Sequence, residues 1–188
     1  MPSFTPDSEL ELIFPAEIIP TAVKEQLGSD LHVRLSHDSS SNLFVESLSQ
    51  MRPLAKTDLS RGHLSVLSVL TSAPEVSEAQ YAQTFDAMRS SKLYFSLVIV
   101  SRATDKIVGA GTVFKEQKFI RSLGTVGHIE DIVVDKSMQG RKLGLRIIQA
   151  LTAISEANGC YKTILNCSAD NAGKKTLALL YSSGMLLT

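Results

Sequence analysis

The sequence predicts an α/β protein in which helices cover a mixed sheet, and three features carry that prediction. Two strand-like runs, LYFSLVIVSRA (93–103) and KIVGAGTVFKEQ (106–117), are separated only by Thr104-Asp105, a short hairpin turn. An amphipathic run, LGLRIIQALTAISEAN (143–158), ends at Gly159, a residue that closes helices in a left-handed conformation. Read end to end, the order is β-α-α-β-β-β-α-β, which packs helices onto a sheet.

Each element has its own signal. Residues 1–30 read as an N-terminal arm, with two prolines in LELIFPAEIIPTAVKEQLGSD and a short amphipathic piece ending at Gly28. LHVR (31–34) starts a strand. LSHDSSSNLFVESLSQM (35–51) is serine-rich and patternless, hence loop or disorder. RPLAKTD (52–58) is a strand end, with Asp58 placed to cap a helix over 59–73. In that helix Leu59, His63, Val66, Leu67 and Leu70 fall at helical spacing. A second helix spans 77–91. Ser77 and Gln80 have capping-box spacing, and Tyr81, Phe85 and Met88 mark its inner face. GTVGHIEDIVVD (124–135) and CYKTILNC (160–167) are the remaining strands.

Composition narrows the function. In 188 residues, 44% are hydrophobic and 20% charged, which suits one folded domain rather than a disordered chain. Nineteen basic residues balance nineteen acidic ones, which argues against non-specific nucleic-acid binding. The N-terminus lacks a signal-peptide pattern and no apolar run approaches the ~20 residues of a membrane span, so a cytoplasmic protein is expected. Cys160 and Cys167 would lie roughly 23 Å apart along one strand. That is too far for a disulfide, and two reduced thiols are expected. His63 and His128 have no Cys, His or Asp cluster around them at ligand spacing, so no metal is expected.

Two stretches carry chemistry. Gln139-Gly140-Arg141-Lys142-Leu143-Gly144 stands between a strand and a helix. Its glycines allow close backbone approach, and the first-turn N–H groups of the helix suit a pyrophosphate, with Arg141, Lys142 and Arg146 adding charge. Alone, such a turn is also what a solvated basic helix start looks like; the strand-turn-helix context favours the anion site. Neither the dinucleotide Gly-x-Gly-x-x-Gly nor a P-loop is present. Upstream, GHIEDIVV places Glu130 and Asp131 inside an apolar strand. Regular alternation puts His128, Glu130, Ile132 and Val134 on one face and Ile129, Asp131 and Val133 on the other. A salt-bridged pair on an edge strand is the plain alternative.

The QGRKLG turn resembles the Gln/Arg-x-x-Gly-x-Gly/Ala turn of the GNAT superfamily of N-acetyltransferases. Gln139 and Gly144 match, and Lys142 replaces the central glycine. GHIEDIVV, the turn and GCYKTIL together resemble its glucosamine 6-phosphate N-acetyltransferase branch, over roughly residues 52–173. That resemblance implies the GNAT acyl-CoA N-acyltransferase fold and acetyl-CoA as co-substrate. It also implies transfer of acetyl to the amine of D-glucosamine 6-phosphate on the route to UDP-N-acetylglucosamine, and a homodimer where the C-terminus permits one. Glu130 and Asp131 would orient and deprotonate the amine. Ile132, Val133, Val134, residues 139–144 and Asn171 would hold the coenzyme. Thr71, Lys162 and Asn166 would join the two carboxylates around the sugar phosphate, Asn166 standing where relatives have Asp or Glu.

Two departures temper this. Removing residues 35–52 restores LHVR-PLAKTD, so that tract reads as an insert in a single domain over 31–188, arising from an unspliced intron or a wrong gene model. From Lys174 to Thr188 the tail departs as after a frame change near Gly173. It lacks the family's tyrosine beside the departing thiolate, and a C-terminal helix and strand are expected to be altered or missing. An acetyltransferase for another amine, or an inactive coenzyme-binding remnant, are the alternatives.

Overall fold

The computed structural model describes residues 4–24, 49–73, 75–165 and 185–187. Strands β1 (Ser49–Pro53), β2 (Tyr94–Ser101), β3 (Lys106–Gln117), β4 (Thr125–Val134), β5 (Cys160–Leu165) and β6 (Met185–Leu187) form one sheet in chain order. The pairs β1/β2, β2/β3 and β3/β4 are antiparallel, and β4/β5 and β5/β6 are parallel. The mixed sheet expected from the element order is present.

Helix α3 (Leu143–Ala157) crosses from β4 to β5. Leu143, Ile147, Leu151 and Ile154 recur at i, i+4, i+8 and i+11, and all are at most 1% exposed. Burying each contributes roughly 1.5–3 kcal/mol. Gly159 ends the helix with φ 78°, its N–H donating to Glu156 O, as the sequence predicts. Helix α2 (Glu78–Ser91) starts at the anticipated capping box, in which Gln80 N–H donates to Ser77 Oγ and Ser77 N–H to Gln80 Oε1. Tyr81 and Phe85 are its buried residues.

The first helix differs from expectation. Regular α-helix is limited to α1 (His63–Leu67), because Gly62 at φ 87° breaks the run upstream. Asp58 does not cap it with its side chain. That carboxylate takes the Arg52 guanidinium through two 2.7 Å bonds and accepts Ala55 N–H at 2.8 Å. Arg52 is 1% and Asp58 0% exposed. The Asp7 carboxylate stands 3.8 Å from Arg52 Nε, and burial raises the Asp7 pKa, with Arg52 opposing it. Such a buried pair survives desolvation because its hydrogen bonds are met.

That pair also corrects the reading of the serine tract. Ser49–Met51, expected in loop or disorder, belong to β1, with Ser49 opposite Ser101 and Arg52 opposite Val98. A register that buries Arg52 against Asp58 pulls the residues just before it into the sheet. LHVR (31–34) and residues 35–48 lie outside the described residues. Within residues 4–24, Ile13, Phe14 and Ile19 are buried against the domain, and Ile13 N–H donates to Leu54 O at 2.9 Å. At the other end, the edge of β5 is met by β6, with Thr163 opposite Met185 and Leu165 opposite Leu187.

Removing the Asp58 carboxylate would leave a guanidinium buried without its partner. Asp58→Ala should therefore lower unfolding free energy by about 3–5 kcal/mol, read from urea denaturation.

Candidate active site

Strand β4 contains one extra residue. Opposite β3, Thr112 pairs with Glu130 and Ala110 with Val133, so Asp131 and Ile132 together face Gly111. This is a β-bulge, with Asp131 in the left-handed region at φ 56°. Aspartate is among the few side chains that enter that region. The bulge overturns the simple alternation expected for GHIEDIVV. Ile132 turns to the α3 side, where a Cβ on Gly111 would lie 2.7 Å from Ile132 Cδ1 and 2.5 Å from Ile147 Cγ2. Only glycine leaves that space. Asp131 turns to the opposite face, where it lines a cavity beneath α1 and α2. Glu130 lies across from Thr112, another residue of that cavity, and cross-strand partners share a face. Both carboxylates therefore belong to one side of the sheet.

The cavity encloses about 360 Å³ and is mainly apolar, with Leu64, Leu67, Val76, Phe85 and Met88 in its wall. Its polar lining includes the Ser96 and Thr112 hydroxyls, which meet at 2.8 Å, and the Tyr81 hydroxyl 2.8 Å from His63 Nδ1. His63 is thus a hydrogen-bonded histidine. Its place in this cavity was not legible, since the contact joins two helices through a tertiary fold. His128 is also hydrogen-bonded, its Nε2 lying 2.9 Å from Glu116 Oε2 while its ring stacks on Phe114. Hydrogen bonds from Lys118 and then His128 hold the Glu116 carboxyl below its usual pKa.

On its other edge, β4 pairs with β5 only from Thr125 to Ile129 among the described residues. Beyond Ile129 the edge carrying Ile132, Val133 and Val134 has no described strand beside it. That stretch leads to the turn at 139–144. Gly140 has φ 78°, with nothing within 4 Å of the place a Cβ would occupy. Lys142 sits at the N-terminal boundary of α3 with φ 58°, a left-handed conformation that suits glycine. Gln139, Arg141 and Lys142 are exposed, Gly144 is half-buried, and Leu143 anchors the helix in the core. Gln139 Nε2 donates to Val134 O at 3.4 Å. The exposed first turn of a fifteen-residue helix, with two cations and an open glycine, fits a polyphosphate by its donor set.

Other expected residues are not gathered here. Thr71 is exposed between α1 and α2, two residues before Ala73 of the cavity wall. Lys162 lies opposite Val126, so it is about 16 Å along β4 from Asp131. Its ammonium stands 5.9 Å from the Tyr161 ring centroid. Asn166, Cys167 and Asn171 lie outside the described residues.

Two outcomes follow from this geometry. Lys142→Gly should raise stability by about 1 kcal/mol by relieving the left-handed strain, read from urea midpoints. Burial lowers the His63 pKa from 6.5 to about 4. The unfolded chain then binds this proton first, so stability should fall as pH drops from 6.5 towards 4 and stop falling through this group below that. His63→Phe should flatten that slope in urea midpoints measured across the range.

Comparison with known proteins agrees with this architecture. Residues 64–178 match the acetyltransferase (GNAT) family. Glucosamine 6-phosphate N-acetyltransferase 1 of Dictyostelium discoideum is 44% identical over 121 residues, 64% of this chain and 76% of that protein. The Candida albicans glucosamine 6-phosphate N-acetyltransferase is 38% identical over 122 residues, 65% of this chain and 82% of that protein. The crystal structure of glucosamine-6-phosphate N-acetyltransferase from Arabidopsis thaliana superposes with a TM-score of 0.67 at 30% identity, covering 74% of this chain and 96% of that one. The bulged strand and the turn before α3 are thus those of a chain that belongs to the GNAT acetyltransferase family, among the glucosamine 6-phosphate N-acetyltransferases.

Proposed function

We propose that this chain transfers the acetyl group of acetyl-CoA to the amine of D-glucosamine 6-phosphate, giving N-acetyl-D-glucosamine 6-phosphate and CoA. The observation that carries this reading is the bulge at Asp131, which sets two carboxylates on the cavity side of the sheet and turns Ile132 to the α3 side. The amine enters from the cavity side. Glu130 and Asp131 orient it and accept its proton, directly or through water, so that a neutral nitrogen attacks the thioester carbonyl. The C–N bond forms, the C–S bond breaks, and the thiolate departs. The backbone N–H of Ile132 polarises the carbonyl, and the open edge at Ile132–Val134 pairs with the pantetheine arm. Gln139, Gly140, Arg141, Lys142, Leu143 and Gly144 hold the pyrophosphate. Much of the rate comes from holding the two reactants in line.

The same reading places the enzyme in the cytoplasm, on the route to UDP-N-acetylglucosamine, and makes it a homodimer. A feature of the β3–β4 hairpin supports the dimer. In its turn, Arg121, Ser122 and Leu123 all have φ between 54° and 61°. That costly conformation presents Phe119, Ile120 and Leu123 to solvent at 97%, 67% and 71% exposure. A second copy of the chain would cover them.

Thiol release from acetyl-CoA with glucosamine 6-phosphate against spermidine tests the reading. Release with the sugar phosphate alone supports it, whereas release with spermidine alone would overturn it. Asparagine tolerates the left-handed region, so Asp131→Asn keeps the bulge while removing the charge. It should lower kcat about 10²-fold or more with an unchanged thermal midpoint.

A further inference from the structure

Most polar side chains around the cavity already have partners. The Ser96 and Thr112 hydroxyls bond each other, Gln80 Oε1 closes the Ser77 capping box, and the Thr84 hydroxyl donates to Gln80 O. The His63 and Tyr81 side chains meet on the helical side of the cavity, through the 2.8 Å contact between Nδ1 and the phenol, with the rings edge-on at 83°. Burial keeps the imidazole neutral, at a pKa of about 4, and pushes the Tyr81 phenol upward. A neutral imidazole and a protonated phenol hold two acidic hydrogens, and their mutual bond uses one. If the phenol donates to Nδ1, the ring N–H is on Nε2. If Nδ1–H donates instead, the phenol O–H is the remaining donor. Either way one donor of the pair has no described partner, and both residues line the cavity.

Asp131 lines that cavity as well. A mainly apolar chamber thus offers an N–H or O–H donor from the helices and a carboxylate acceptor from the sheet. That combination complements a molecule carrying a hydroxyl near an amine. A polyamine has no hydroxyl to meet the donor, which would stay buried and unpaired.

We propose that the His63–Tyr81 pair binds a hydroxyl of the amino-sugar acceptor and so determines which amino alcohols the pocket accepts; this rests on the acceptor reading given above. The pair is a recognition element and takes no part in moving the amine proton.

Steady-state kinetics with glucosamine 6-phosphate and its monodeoxy analogues test this. His63→Phe should raise the sugar KM about tenfold, with a smaller change in kcat and an unaltered KM for acetyl-CoA. The wild type should discriminate against one monodeoxy analogue, and His63→Phe should lose that discrimination. His63→Gln, which keeps an N–H donor, should recover part of the affinity. Tyr81→Phe should raise the sugar KM by a few-fold, and supplies the answer if His63→Phe melts early. Wild-type turnover of the sugar with an unaltered KM in a folded His63→Phe enzyme overturns the assignment of the pair alone. A wild type that acetylates no glucosamine 6-phosphate overturns the acceptor reading and this assignment together.

Discussion

The extra residue that Asp131 inserts into β4 does two things in opposite directions. It swings a carboxylate under α1 and α2, and it turns Ile132 against α3. Neither is possible without Gly111, since any side chain there would collide with Ile132 and Ile147. The left-handed backbone at Asp131 costs roughly 1–2 kcal/mol for most L-residues, less for aspartate. That cost is offset by the packing of Ile132 and by unbroken pairing of Val133 and Val134 with β3. Strand β4 therefore stays anchored to β3 on one edge, and on its other edge it pairs with β5 from Thr125 to Ile129 among the described residues. In the reaction proposed above, acyl donor and acceptor meet at this one irregularity.

Rigidity behind the site has a different source. Arg52 and Asp58 bring two full charges into a region otherwise filled by Leu97, Val98 and Ile99, all 0% exposed. Their bond ties β1 to the segment that leads into α1. Through His63 N–H, which donates to Asp58 O at 3.1 Å, it also fixes where α1 begins. The wall of the cavity is thus positioned by an ion pair that never touches it. Apolar packing alone would leave α1, only one and a half turns long, free to slide. The hydrogen bonds set its phase, so His63 meets Tyr81.

The sequence made the regular parts legible. Strands β2 to β4, the capping box at Ser77 and the closure of α3 at Gly159 all rest on local signals that no distant residue competes with. It was less informative wherever a distant residue decided the outcome. Asp58 has the composition of a cap, but a buried guanidinium six residues back outbids two backbone N–H groups. The Glu130-Asp131 pair was visible as a site candidate, yet alternation gave it the wrong geometry. A bulge depends on the facing strand, here on Gly111, and leaves no periodic mark on its own strand. The turn at 139–144 could be read because its residue types are themselves the signal.

Arg52 stands directly before Pro53, and in β1 it is the one side chain whose charge the interior requires. Arg34 would occupy the same position if it ran straight into Pro53, and Leu31, His32 and Val33 would take the places of Ser49, Gln50 and Met51. The domain has a socket for a single arginine, and either Arg-Pro junction supplies one. A chain with residues 35–52 and one without them would then present the same Arg-Pro step to Asp58.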